Sequence, residues 1–316
     1  MFKLLPMAVR FAVVSTALVI FASIALMDAP VVHAIGFTLG QFDTYGLLVN
    51  DGASGGDINT APVNANIGIG IVNGPVNLHN EVVNGKVDCR FSCASTVSGG
   101  AITGTQPVSL GGGPSPASLN SNVAAVETAI TTAKSLSSTF GALSGSGTPV
   151  TINGTTTINA SLGFLDVSSG TRVFTASSFS IGNGNTVTIN GTAAQFVVID
   201  ITGNSSNKLD GALALTGGIT PNQVLINFLG SGNEVGGAAN GATLQGTFLI
   251  PHQKVNLNSL TINGHLFGGA EGQDFQFVSN SFISQPPISQ VPEPASLLLL
   301  GSGLVGLAYW RRRKTE

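Results

Sequence analysis

Aliphatic and polar residues alternate along much of this chain, and one alternating string returns almost verbatim. The copies are Val150-Thr151-Ile152-Asn153-Gly154, Val187-Thr188-Ile189-Asn190-Gly191 and Leu260-Thr261-Ile262-Asn263-Gly264. A period of two is that of an extended strand, so Val150, Ile152, Val187, Ile189, Leu260 and Ile262 should share an inward face, with Thr and Asn facing out. The Asn-Gly closing each copy reads as a turn, because both residues tolerate positive φ. The three asparagines stand 37 and 73 residues apart, near one and two multiples of a single length. A strand-turn unit at a fixed period predicts a stacked, solenoid-like fold.

The same rhythm fills 171–181, 186–190, 195–201, 213–219, 223–228, 244–250, 254–267 and 275–283, and upstream it appears as Ile67, Ile69 and Ile71. Short strands at this density, without helices between them, predict an all-β body. Val197-Val198-Ile199 and 224–228 are more uniformly apolar and should be buried on both faces. Two stretches depart from the pattern. Residues 88–116 are rich in Gly, Ser and Pro and read as an irregular loop. From about 120 to 140, Val123, Val126, Ile130, Ala133 and Phe140 fall near one helical face, with Gly141 placed to stop the helix, which should lie along a β surface.

Both termini read as addresses. Residues 1–34 carry Lys3 and Arg10, an apolar run from Phe11 to Met27, and a Val32-His33-Ala34 cleavage signature, which is the pattern of a secretory signal peptide. The C-terminal part opens with a linker at 284–294 containing Pro292-Glu293-Pro294. An apolar run, 295–310, follows, and the basic tail 311–316 begins with Arg311, Arg312, Arg313 and Lys314. As a helix the run would extend about 24 Å, a little short of a ~30 Å hydrocarbon core, and the basic residues should stay cytoplasmic. This tripartite tail closely resembles the PEP-CTERM sorting signal of Gram-negative bacteria. The resemblance implies an exosortase-type membrane protease as processing partner, a precursor held in the inner membrane through 295–310, and a product at the cell surface or outside the cell.

The span 35–290 holds six Lys or Arg against twelve Asp or Glu, a net charge of −6. With no basic stripe to neutralise phosphates, nucleic acid is excluded as a partner. Cys89 and Cys93 enclose Arg90-Phe91-Ser92; in an exported chain they read as a local disulfide. The histidines His79, His252 and His265 lack the spacing of a Cys/His metal cluster, so no metal or other cofactor is expected. The Gly268–Phe275 stretch only loosely approximates a calcium-repeat turn. No nucleophile elbow is present, and no catalytic residue is assigned. A cluster of Asp166, Asp200 and Asp210 is what a polysaccharide-degrading enzyme on a solenoid would need.

The helix in the first half, the strand Gln195-Phe196-Val197-Val198-Ile199, and the closing pattern from Gly246-Thr247-Phe248-Leu249-Ile250 through Val255-Asn256-Leu257 to Ile262-Asn263-Gly264-His265-Leu266-Phe267 together resemble the ice-binding-like family. The second half, with Pro251, is also similar to choice-of-anchor A domains. These resemblances imply a mainly β fold: a right-handed β-solenoid (β-helix) over 35–283 with one long α-helix packed alongside, flanked by the signal peptide and the C-terminal transmembrane helix. They agree on export and differ on function; the sorting tail and the low-charge repeat body point to a non-catalytic surface protein. The outward ladder expected to carry binding is Thr151, Asn153, Thr188, Asn190, Thr261 and Asn263. Its ligand would be extracellular polysaccharide or matrix, or, as the alternative the ice-binding-like family implies, ice.

Overall fold

In a computed structural model the residues described are 37–60, 64–71, 76–78, 82, 83, 85–90, 97, 98, 100–102, 108–110, 120–231, 233–238, 241–270 and 272–284. They form many short strands and one long α-helix, Val123–Gly141. The expected signal peptide at 1–34, the Pro-Glu-Pro motif and the apolar run 295–310 lie outside them. Among the described residues no helix is long and apolar enough to cross a membrane.

The strands stack in parallel as three ladders, the arrangement of a β-solenoid. The first ladder runs through Thr148–Pro149, Thr171–Ala176, Phe196–Ile201, Val224–Phe228, the second half of Thr243–Ile250, and the second half of Thr261–Gly268. It then continues into the N-terminal strands Leu47–Val49, Ile67–Ile69 and Val87–Cys89, and ends at Asn120–Ser121. The order of stacking is therefore not the order of the chain. The N-terminal strands pack on the C-terminal ones, with Leu47 opposite Leu266, and the chain returns through the helix to start the long run of coils. The second ladder includes Ile152–Asn153, Phe179–Ile181, Asn207–Leu209, Glu234–Ala238, Lys254–Asn258, Asp274–Ser284 and Gly55–Thr60. The third is described with the site below.

Alternation sends one side of every strand into a continuous core. Ile152, Ile158, Ile181, Val187, Ile189, Val197, Ile199, Ile226, Phe248 and Ile262 belong to it. A second apolar cluster lies outside the first ladder, where Val198, Leu225, Leu249, Phe267 and Leu48 meet Val126, Ala129, Ile130, Ala133 and Phe140 of the helix. The spacing of those helical residues is that of one face, so a single stripe is buried. Strands 197–201 and 224–228 are buried throughout because the helix covers their outer side. An ionic chain joins helix to coil: Arg90 bridges Glu127 at 2.8 Å and Asp51 at 3.3 Å, and Lys134 reaches Asp51 at 2.6 Å.

Three expectations change. The 37-residue spacing is not the coil length: 31 residues separate the stacked Asn159 and Asn190, and 26 separate Asn190 and Thr216. Coils of unequal length remain stackable because their excess leaves at the corners, while the ladder needs only the strands in register. Residues 88–116 are not wholly irregular, since Val97–Ser98, Gly100–Ile102 and Val108–Leu110 are strands. The Asn-Gly pairs do not all turn. Gly154, at φ +76°, does, whereas Gly264, at φ +152°, lies within the continuous strand Thr261–Gly268, where the backbone passes from the third ladder to the first. Cys89 is buried and disulfide-bonded; Cys93 lies outside the described residues.

Candidate functional site

The third ladder forms the only one of the three faces whose strands present no ionisable side chain among the described residues. It contains Thr156–Asn159, Thr186–Asn190, Ala212–Thr216, the first half of Thr243–Ile250, the first half of Thr261–Gly268, and the end of Asp274–Ser284. Inward positions are Ile158, Ile189, Leu213, Leu244 and Ile262, all buried. Their polar neighbours therefore face outward as rows crossing the coils, about 4.8 Å apart along the stack.

Register fixes those rows. Thr157 stands beside Thr188, and Thr188 beside Ala214; Asn159 stands beside Asn190, and Asn190 beside Thr216. The pair Leu213–Leu244 joins the two blocks, which sets Gln245 rather than Thr243 next to Ala214. Gln245 then meets Asn263, and Asn263 meets Ser284, while Thr243 meets Thr261. One row thus reads Thr157, Thr188, Ala214, Gln245, Asn263, Ser284.

The two central rows differ in how far their polar groups are already used. Asn190 donates from Nδ2 to Asn159 Oδ1 at 3.2 Å and accepts at Oδ1 from the Thr216 hydroxyl at 3.2 Å. That row is a satisfied ladder serving the fold. The hydroxyls of Thr157 and Thr188 and the amides of Gln245 and Asn263 have no protein partner among the described residues, so they are free to bond water or a ligand.

Of the six ladder residues expected from sequence, Thr188, Asn190, Thr261 and Asn263 lie on this face. Thr151 and Asn153 do not. Asn153 pairs with Ser180 on the second ladder, and Thr151 lies in the connection preceding it. The true neighbours of Thr188 and Asn190 are Thr157 and Asn159, supplied by the adjacent string Thr155-Thr156-Thr157-Ile158-Asn159. Two near-identical strings occupy consecutive faces of one coil, separated by the turn at Gly154. Thr188 and Thr261 also fall in different rows, one alternation step apart. The doubled string at 151–159 was a signal in the sequence that two faces, not one, were being specified.

Charged groups gather elsewhere. On the second ladder Lys254 lies 3.5 Å from Glu234, which also accepts from Asn256 at 3.2 Å. The candidate acidic trio is dispersed. Asp166 sits in a hairpin at one end of the stack, where the Ser169 hydroxyl, with Ser168, holds its carboxyl below the usual range. Asp210 follows the strand Asn207–Leu209 and caps the Ala238 N–H at 2.8 Å. Asp200 is buried beneath the helix, where desolvation pushes its carboxyl up to about 7 against a hydrogen bond from Asn227. No group of three or more His, Cys, Asp or Glu able to hold a metal occurs among the described residues. In the glycine-rich stretch near Gly268, the Asp274 carboxylate accepts from Ser54 at 3.1 Å.

The sequence that folds into this stack matches a known family. The model of the Ice-binding-like adhesive domain covers residues 34–271. The chain belongs to this family. Residues 290–314 match the PEP-CTERM protein-sorting motif, and with the domain this supports an exported, surface-associated protein and implies exosortase processing. Among solved structures, an ice-binding protein from an Arctic yeast aligns over 83% of this chain and 98% of its own at 14% identity, with a TM-score of 0.50. An ice-binding protein from the Antarctic ascomycete Antarctomyces psychrotrophicus covers 80% and 100% at 14% identity, with a TM-score of 0.47. The Shewanella frigidimarina ice-binding protein covers 80% and 99% at 14%, with a TM-score of 0.46. At such identities the likeness concerns the fold. No curated protein sequence matches the chain.

Proposed function

We propose that residues 35–283 form a non-catalytic adhesive module whose third-ladder face contacts hydrated extracellular polysaccharide or matrix. In this reading residues 1–34 direct export and the tail 284–316 holds the precursor in the membrane until an exosortase-type protease releases it to the surface. The observation that carries the reading is the face itself: uncharged over several coils, with free hydroxyls at Thr157 and Thr188 and free amides at Gln245 and Asn263. Such groups can exchange bonds to water for bonds to sugar hydroxyls without the desolvation cost of a buried charge.

A glycan array probed with the processed protein tests it. Binding to polysaccharide should fall at least about tenfold in Thr188→Tyr, because a ring raised above the row keeps the flanking groups from contact. Equal binding by the variant and the parent would remove this face from the mechanism. Ice is the second reading, favoured by the in-register pairs Thr157–Thr188 and Thr243–Thr261. Against it, Ala214, Gln245 and Asn263 interrupt any uniform threonine row. Ice recrystallisation inhibition by the parent, lost in Thr188→Tyr, together with a blank glycan array, would decide for ice.

Deleting 291–316 should shift the protein from the cell surface to another fraction, read by cell fractionation and immunoblotting. Unchanged fractionation would end the sorting reading.

A further inference from the structure

Among the described residues, the run of coils that begins at Thr148 ends in strands with one free edge. There, Ile152–Asn153, Thr156–Asn159 and Phe164–Asp166 each pair on one side only among the described residues, with Phe179–Ile181, Thr186–Asn190 and Thr171–Ala176 respectively. Their outer edges present N–H and C=O groups in the register of a further strand.

One segment of this end, 162–167, is rich in exposed apolar side chains. Of the five large hydrophobic residues exposed among the described residues, four lie here: Leu162 at 67%, Phe164 at 40%, Leu165 at 39% and Val167 at 79%. Phe164 and Leu165 are adjacent in one strand and point to opposite sides. Exposure of both means that neither side of that strand is fully covered. Between Lys134 and Arg172 the sequence contains one ionisable side chain, Asp166, and its carboxylate accepts from the hydroxyls of Ser168 at 2.8 Å and Ser169 at 2.6 Å. Natural sheets guard open edges with lysines, prolines or bulges, and solenoids close their ends with polar caps. Pro149 guards one two-residue rung, and Asp166 is the single charged side chain on the other three strands.

We propose that this end is a self-association surface on which a second copy of the chain docks end to end about a two-fold axis. A two-fold axis places the end against itself, so strand Thr156–Asn159 meets its copy antiparallel, and both edges gain backbone partners. The same symmetry brings every charge near the axis against its like. The charges of this end, Asp166 and Arg172, which stands opposite Leu165, are one of each sign and sum to zero, whereas the rest of a body with net charge −6 repels its copies. Leu162, Phe164, Leu165 and Val167 then lose water together. An unrelated strongly acidic or basic partner would find no net complementary charge here.

Sedimentation velocity on the full chain in mild detergent tests the proposal, because the terminal segments are present in every variant. The parent should show a concentration-dependent monomer–dimer equilibrium. Leu162→Lys with Val167→Lys, both at exposed positions, should weaken the dimer at least about a hundredfold, with the far-ultraviolet circular dichroism unchanged. Val167→Lys alone, at the most exposed site, should weaken it about tenfold. Lys208→Glu, on the second ladder, should leave it intact. Dimers that persist with both lysines, a parent that stays monomeric at all concentrations, or polymers that grow without a limiting size would each overturn it.

Discussion

Gly264→Ala should lower the unfolding free energy by at least about 4 kcal/mol, and so the midpoint of thermal unfolding by about 10 °C or more. Gly264 has φ +152°, a region that L-residues rarely enter, and a Cβ placed there would lie 1.9 Å from the carbonyl oxygen of Gly246 on the adjacent coil. Gly246 is its register partner and has φ +134°, so two successive coils pass the same corner glycine on glycine. The obstructing atom is backbone, held by the ladder on both sides, and cannot rotate away. Gly241→Ala provides the comparison. It has φ +88° but nothing within 4 Å of the added Cβ, so only the conformational penalty of about 1 kcal/mol applies. Denaturant unfolding of both variants would check this, and equal losses would mean that the corner is not close-packed.

Asp200→Asn should stabilise the protein at pH 8 and change it little at pH 4. The carboxyl is fully buried between the first ladder and the helix, accepting from Asn227 Nδ2 at 2.7 Å. Asn227 in turn accepts from the Ser137 hydroxyl at 2.6 Å and donates to the Ser137 carbonyl at 3.0 Å, which ties the helix to the coil. Burial raises the folded-state value to about 7, so near pH 4 the group is largely neutral in the folded state and its cost is small. As pH rises through about 4 to 7 the unfolded chain gains the charge more readily than the folded one, and stability falls. Above 7 the penalty is complete. A rise of about three units corresponds to about 4 kcal/mol as an upper figure. Asparagine keeps an oxygen to accept from Asn227 and removes the titration. Melting curves at pH 4, 6 and 8 should show a parent that weakens with pH and a variant that does not. A variant no more stable than the parent at pH 8 would refute the assignment.

Much of the architecture was legible locally. Ile152, Val187, Ile189, Leu260 and Ile262 are all buried, as the alternation required, and Val150 packs against the core from a half-buried position. The helix stood out because its period changes from two to 3.6 and its apolar stripe is narrow. The candidate face was only partly legible. Thr188, Asn190, Thr261 and Asn263 could be identified as outward, but not which of them are neighbours, because a strand's own pattern says nothing about its partner.

The sequence by itself determined the extended conformation, the inward side of each strand, the one long helix of the described residues, and the sorting motif near the C-terminus. Those properties depend on residues a few positions apart, where period and propensity act. Only the tertiary structure decided that Thr151 and Asn153 belong to another face, that Gly264 is a corner within a strand, and that the N-terminal strands stack on the C-terminal ones. Each depends on register between segments separated by unequal lengths of chain. Register is set where Leu213 meets Leu244 and Leu47 meets Leu266 inside a common core. A shift of two residues keeps every apolar side chain inward, so local patterning cannot tell one row from the next, and the choice falls to packing between coils.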